Sequence, residues 1–228
     1  MKIGGIMNLT LLDYPDKVAC TVFTVGCNFR CPFCHNATLV NGNEGRQITE
    51  SEILLFLKKR SRVLEGVCLT GGEPLIQQGV DVFLRQVKEL GYSVKLDTNG
   101  AYPDKLKELV ANKLVDYVAM DIKNSRERYA ETAGCNVDIQ AVEQSVAFLK
   151  SGIVDYEFRT TVTGNFHNET SIESMAQWLS GAKKWYLQKF VDSGDLIDSA
   201  TQGCSDETMY KYLKIAQRTI PSALLRGI

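Results

Sequence analysis

Three cysteines crowd one short stretch, Gly26-Cys27-Asn28-Phe29-Arg30-Cys31-Pro32-Phe33-Cys34-His35-Asn36, at the spacing Cys-x3-Cys-x2-Cys. Thiolates are soft ligands that select iron–sulfur clusters or zinc, and three on one loop can wrap a single metal centre. Gly26 and Pro32 suit the tight backbone this requires. A [4Fe–4S] cluster with four thiolates is coordinatively closed. Three local thiolates would leave one iron open to a substrate or cofactor, as catalytic zinc sites keep an open position. The other possibility is a structural Cys3His zinc site using Cys27, Cys31, Cys34 and His35. The spacing alone admits both.

Further polar residues stand at the ends of apolar runs. In Thr70-Gly71-Gly72-Glu73-Pro74 the two glycines let backbone approach a ligand, and Glu73 offers an acceptor for an ammonium group, although an ordinary turn also accounts for the string. Asp97 lies in Asp97-Thr98-Asn99-Gly100, and Asp121 and Lys123 in Met120-Asp121-Ile122-Lys123-Asn124. Charges on apolar strands cost stability unless paired or exposed at an edge. Either they close a salt-bridge network, or they form a zwitterion site with Asp97 facing an ammonium and Lys123 a carboxylate. Arg159 either pairs with a carboxylate across the sheet or steadies a ligand or substrate backbone through its planar donors. Cys20 and Cys68 read as buried small hydrophobes, and His167 as a surface residue. Asp13, Tyr14 and Lys17 form a simple turn or the lip of a groove that receives a partner's loop.

The elements that must position these groups are strands alternating with helices. Apolar runs rich in β-branched residues predict six strands over 18–25, 66–70, 93–98, 116–122, 154–162 and 184–190. Thr49 and Glu52 form a capping box ahead of a helical stretch. Further helices are expected over 80–90, 104–112, 139–151, 171–180 and 207–218, with Gly91, Gly152 and Gly181 as C-terminal stops. A short strand over 222–226 closes the chain. Such βα units build a parallel sheet. Six of them fall short of the eight in a complete barrel of about 250 residues, which predicts a partial (β/α)6 TIM-like barrel, with a doubly wound sheet as the alternative. An incomplete barrel leaves a lateral gap that could admit a peptide loop. With no linker or repeat, one domain over 1–228 is expected, its core over about 18–190, with a C-terminal helix and strand over 205–226.

The composition narrows the class. Of 228 residues, 44% are hydrophobic and 23% charged, which argues against disorder. A net charge of −1 provides no overall basic field, so neither nucleic acid nor a membrane is an expected partner. No apolar run reaches the roughly 18 to 20 residues of a membrane span. The first residues lack a secretory pattern, so a reducing cytoplasm is expected, where seven cysteines suggest metal ligands or free thiols rather than disulfides.

The cysteine spacing, with an aromatic residue before the last cysteine, resembles the signature of radical S-adenosylmethionine (SAM) enzymes. The longer string from Leu11-Leu12-Asp13-Tyr14-Pro15 through Phe23-Thr24-Val25-Gly26-Cys27 to Cys34-His35-Asn36 resembles the activating enzymes of glycyl radical proteins. The nearest group is that of anaerobic ribonucleoside-triphosphate reductase, followed by pyruvate formate-lyase activating enzyme. The resemblance implies a partial barrel of the radical SAM type, with Cys27, Cys31 and Cys34 holding a [4Fe–4S] cluster whose fourth iron is chelated by SAM. One electron then splits the sulfonium bond, and the 5′-deoxyadenosyl radical takes hydrogen from a glycine of the partner protein. It further implies that Gly71, Gly72 and Glu73 bind the SAM amino group, Asp121 the ribose, and His35 the adenine, with Phe33 and Asn36 shaping the same loop. A monovalent cation near Asp97 and Asp121 follows by the same likeness, and a flavodoxin or ferredoxin would suit a low-potential cluster as electron donor. Phe190 stands where pyruvate formate-lyase activating enzymes carry a ribose-binding histidine, a departure from that pattern. A different radical SAM reaction on a small molecule, such as a deazapurine, is the alternative. The tail after Phe190 has no role assigned beyond its helix and strand.

Overall fold

The computed structural model describes residues 1–42 and 48–228. The chain opens with strand β1 (Ile3–Thr10), β2 (Ala19–Thr24), a short helix α1 (Ala37–Asn41) and α2 (Glu50–Arg60). It then alternates through β3 (Gly66–Gly71), α3 (Val80–Glu89), β4 (Ser93–Thr98), α4 (Pro103–Ala111) and β5 (Tyr117–Asp121). Two helices, α5 (Tyr129–Ala133) and α6 (Ile139–Lys150), lead to β6 (Asp155–Val162), α7 (Glu169–Trp178) and β7 (Trp185–Lys189). The last elements are α8 (Asp206–Gln217) and β8 (Ala223–Arg226).

All eight strands form one sheet in sequence order, β1 to β8. Strands β2 to β8 run parallel, and β1 lies antiparallel on β2. Its ends do not pair, so the sheet is the expected open barrel. Each of the six expected parallel strands is present within a residue or two, and β8 adds a further parallel strand on β7. Strand β1 was not foreseen, because its Ile-Gly-Gly-Ile stretch lacks the alternation of a half-buried strand. The capping box forms as expected: the Thr49 hydroxyl accepts from the Glu52 amide at 3.2 Å, and the Glu52 carboxylate accepts from the Thr49 amide at 2.8 Å.

The parallel strands alternate strictly between two kinds of residue. One face carries Val67, Leu69, Val94, Leu96, Val118, Met120, Tyr156, Phe158, Trp185 and Leu187, all in the core shared with the helices. On α3 the matching stripe is Val80, Phe83, Leu84 and Val87, the i, i+3, i+4, i+7 pattern of an amphipathic helix. The opposite face carries Cys68, Lys95, Asp97, Tyr117, Glu157, Arg159, Tyr186 and Gln188, so the barrel interior is polar. Within it, Glu157 is almost wholly buried, accepts from the Tyr117 hydroxyl at 3.0 Å, and receives the Arg226 guanidinium of β8 at 2.8 and 3.0 Å. Arg226 reaches across β7 over the Tyr186 ring, 3.5 Å from its centroid.

The last strand therefore supplies the countercharge for a carboxylate two strands away. Replacing Arg226 with Met should leave Glu157 buried without a cation and lower stability by about 2 kcal/mol in urea unfolding. That lies below the loss for a fully enclosed pair because a third of the arginine side chain meets solvent. The double variant Arg226→Met, Glu157→Gln should recover part of the loss.

Candidate active site

Strand β2 runs into the cysteine loop at Gly26, whose positive φ of 91° turns the chain over the C-terminal edge of the sheet. A backbone seam holds it there. The Gly72 amide donates to the Thr24 carbonyl at 2.9 Å and the Glu73 amide to the Gly26 carbonyl at 2.9 Å. The two glycines are required by this seam: a Cβ on Gly72 would lie 1.9 Å from the Gly26 carbonyl oxygen, and one on Gly71 would lie 2.3 Å from the Thr24 nitrogen. Their lack of a side chain thus serves contact between two chain segments, and both glycines also line the cleft, where the sequence reading has backbone approach a ligand. The loop is also tied from other sides. The Arg30 amide donates to the Ala133 carbonyl at 2.9 Å, and the Asp198 amide to the Pro32 carbonyl at 2.9 Å. The Asp195 carboxylate accepts from the Thr38 amide and hydroxyl at the start of α1. The segment after β7, which had no role from sequence, is therefore a strap across the cysteine loop.

Cys27, Cys31 and Cys34 line one cleft of about 430 Å³ together with Phe33, His35, Asn36, Gly71, Gly72, Glu73, Asp97, Asp121, Lys123 and Arg159. Every residue expected to bind the cluster or SAM is thus in the cleft wall, with Asp13 of the N-terminal trio and with Thr98, Asn99, Thr161 and Gln188. Burial pushes the Cys27 thiol up to about 11 and the Cys31 thiol to about 12, and raises Cys34 as well, while the Lys123 ammonium pulls each of them the other way. Thiols in this state become ligands only when a metal displaces their protons. Phe33 is buried and packs against Phe166, with centroids 6.2 Å apart. His35 is exposed, with Phe190 against its ring at 5.3 Å. Phe190 is therefore the support of His35 and not itself part of the cleft wall.

The strand ends carry a chain of alternating charges: Lys95, Asp97, Arg159, Asp121, Lys123. The Lys95 ammonium sits on Asp97 Oδ1, and Arg159 Nη1 bonds Asp97 Oδ2 at 3.0 Å. Arg159 also bonds Asp121 Oδ1 at 2.9 Å, and Lys123 Nζ lies 3.1 Å from Asp121 Oδ2. Burial works against both carboxylates, yet Arg159 and Lys95 hold Asp97 below its usual range, and Arg159 and Lys123 bring Asp121 down to about 2. The salt-bridge reading of these residues is thus realised. Every carboxylate oxygen that was expected to serve a monovalent cation already has a cationic partner. Lys95 went unnoticed in the sequence, although a lysine two residues before Asp97 on an apolar strand faces the same side.

Glu73 differs. It is 1% exposed and accepts from the Leu75 amide at 3.0 Å, the Thr98 hydroxyl at 2.8 Å and the Asn99 amide at 2.7 Å, and it has no ion pair among the described residues. Burial outweighs these bonds and pushes its carboxyl up to about 7. Asn99 also donates from its side chain to Asn28 Oδ1 at 2.8 Å, which links the end of β4 to the cysteine loop. One expectation needs correction. His167 is buried: its Nδ1 accepts from the Thr163 amide at 3.2 Å, so its Nε2 carries the proton and donates to the Lys123 carbonyl at 2.9 Å. Burial lowers it to about 4, so it stays neutral. Cys68 is buried as expected, on the polar inner face, 3.7 Å from Asp97 and 3.8 Å from Lys95. The N-terminal trio forms a turn, with the Lys17 amide donating to the Tyr14 carbonyl at 3.3 Å; only Asp13 of the three lines the cleft, for Tyr14 is buried against Tyr117 with Lys17 over its ring.

An open, mostly parallel sheet with three thiols and a set of paired charges at its C-terminal edge is the architecture of a radical SAM protein. The chain belongs to the radical SAM superfamily, whose family model matches residues 21–179. It is 31% identical to a protein of Methanocaldococcus jannaschii named "putative glycyl-radical enzyme activating enzyme", over 99% of this chain and 96% of that protein. The pyruvate formate-lyase-activating enzyme of Clostridium pasteurianum is 33% identical over 129 residues, 54% of this chain and 52% of that one. Among solved structures, a radical SAM methyltransferase from Sphaerobacter thermophilus superposes with a TM-score of 0.76 over 96% of this chain and 68% of that chain; at 15% identity this is a likeness of fold. Membership implies a [4Fe–4S] cluster and SAM, and the zinc alternative lapses with it. The donor set fits. Three soft thiols face one cleft, and among the described residues no three His, Cys, Asp or Glu side chains are grouped to hold a single ion.

The seam gives a test. Gly72→Ala drives a Cβ into the Gly26 carbonyl and should both lower the melting temperature and reduce iron bound per chain after anaerobic reconstitution. Ala at Gly79, where a Cβ would meet nothing, should leave the iron content unchanged.

Proposed function

We propose that this chain activates a glycyl radical enzyme, most specifically an anaerobic ribonucleoside-triphosphate reductase. What carries the reading is the convergence, in one cleft, of three thiols from a single loop with a buried carboxylate that meets no cation among the described residues and a lysine beside a second carboxylate. Cys27, Cys31 and Cys34 would hold the cluster, which supplies the electron for cleavage of the SAM sulfonium bond. The remaining residues bind and orient. Glu73 would receive the SAM ammonium, since among the described residues its oxygens meet neutral donors alone, while Asp97 serves to fix Lys95 and Arg159. Lys123, its carbonyl held by His167, would receive the SAM carboxylate. Asp121 and Gln188 stand beside it for the ribose, and His35, Phe33 and Asn36 form the adenine side. The open edge of the barrel gives a protein loop a route to the cleft, and Asp13 lies on that wall. The whole chain would act as one radical SAM domain in the cytoplasm, taking electrons from flavodoxin or ferredoxin and needing neither nucleic acid nor membrane.

The deciding experiment incubates the reconstituted protein with SAM, reductant and a candidate reductase, followed by electron paramagnetic resonance. A glycyl doublet that disappears in the Cys31→Ala variant is expected. SAM cleavage without a doublet on any glycyl radical enzyme would favour the small-molecule reading.

Glu73 adds a pH dependence with a definite sign. Its folded value of about 7 lies above the ordinary one, so in the free protein its contribution to stability is lost as pH rises through 7. An ammonium ligand needs the carboxylate form. Affinity for SAM should therefore fall by up to about tenfold per pH unit as pH drops below 7. Glu73→Gln should bind more weakly at pH 8 and show a flat profile, as measured by equilibrium binding.

A further inference from the structure

We propose that Lys95 is the built-in cation of the strand-end site, so that the chain needs no mobile monovalent ion between Asp97 and Asp121. The side chain of Lys95 is fully enclosed, its residue 1% exposed, on the inner face of β4. Its ammonium contacts Asp97 Oδ1 and lies 3.8 Å from Cys68 Sγ. An ammonium buried this deeply is tolerated only against a fixed opposite charge, and Asp97 is that charge. The neighbouring oxygens are occupied in turn: Asp97 Oδ2 by Arg159, Asp121 Oδ1 by Arg159, Asp121 Oδ2 by Lys123. A free cation entering here would have to displace one of these partners and then sit among three positive side chains with only two carboxylates to offset them.

Lys95 differs from a bound ion in that it cannot dissociate. With Oδ1 held by Lys95, the second oxygen of Asp97 is left to aim at Arg159, whose other nitrogens orient Asp121 and, through it, Lys123. Lys95 is thus a positioning residue, acting through three side chains on Lys123, the group that would meet a ligand carboxylate. The consequence is a site whose charge is independent of the salt around it. The inference concerns this chain's own charges and stands whichever partner the enzyme activates.

The test compares potassium chloride with tetramethylammonium chloride at equal ionic strength, on the full-length chain with and without its cluster. For the wild type, the melting temperature and the affinity for SAM should be the same in both salts. Lys95→Ala should melt lower, and potassium, small enough to enter the vacated space, should restore part of the loss where tetramethylammonium does not. Lys95→Met, which fills the space without charge, should show no such recovery. Selective stabilisation of the wild type by potassium, or SAM affinity that drops severalfold without it, would overturn the proposal. So would a Lys95→Ala protein that is destabilised and indifferent to potassium, because Lys95 would then be a packing residue alone. If Lys95→Ala does not fold, the two wild-type comparisons decide.

Discussion

A charge carried below the rim of a sheet must bring its partner with it, and here that requirement links three strands. Asp121 and Arg159 face each other in register across β5 and β6. Asp97 reaches the same guanidinium from β4, with only the small Ala119 between Asp97 and Glu157 along the row. A slip of one residue would turn these charges outward into the helix-facing core, where Leu96, Met120 and Phe158 now lie. The ion-pair chain is therefore weak evidence for stability by itself, given what it costs to remove such charges from water. It does specify register, and register is what sets Lys123 and Asp121 beside the thiols.

The cysteine loop depends on the same edge. It has no secondary structure of its own until α1, yet its backbone is bonded by β3 through the Gly72 and Glu73 amides, by the end of α5 through Ala133, and by the strap after β7 through Asp198 and Asp195. These contacts come from segments far apart in sequence, and each satisfies a backbone group that a loop at the sheet edge would otherwise leave to solvent. A loop held in this way can present three thiols to one space without spending side-chain bulk inside it. Glu73 belongs to both systems at once: its amide closes the seam and its carboxylate enters the cleft.

How much of this was legible in the sequence follows from the range of the interactions involved. The cysteine spacing is local, and so are the capping box and the apolar runs that became β2 to β7. The charged residues at the strand ends were visible because they interrupt apolar runs. Lys95 was not, because a lysine alternating with Val94 and Leu96 looks like an ordinary residue on a wet face. Only the curling of the open sheet turns that face inward. His167 sits among Gly, Asn and Phe in what reads as an exposed turn, and its burial depends on Lys123 and Thr163 arriving from other elements. The strap of residues 190–205 has no periodicity to notice, since its role lies in bonds to Pro32 and Thr38. The double glycine was recognised, but the second backbone packed against it was not.

The distribution of charge then indicates what the cleft is complementary to. Lys95, Arg159 and Lys123 outnumber Asp97 and Asp121 by one, and the two carboxylates are saturated. Two groups that line the cleft stand at the ends of this arrangement: Lys123, paired with a carboxylate that Arg159 shares, and Glu73, whose burial makes the charged form unfavourable until a cation arrives. A ligand with only a carboxylate would leave Glu73 as it is, and one with only an ammonium would ionise Glu73 but leave the positive excess beside Lys123 uncompensated. A zwitterion such as the amino acid end of SAM would answer both, its ammonium pairing with ionised Glu73 and its carboxylate offsetting that excess. The fixed pairs between these two points keep them from collapsing onto each other, for Arg159 and Asp97 already have partners and cannot recruit Glu73 or Lys123 in the ligand's place.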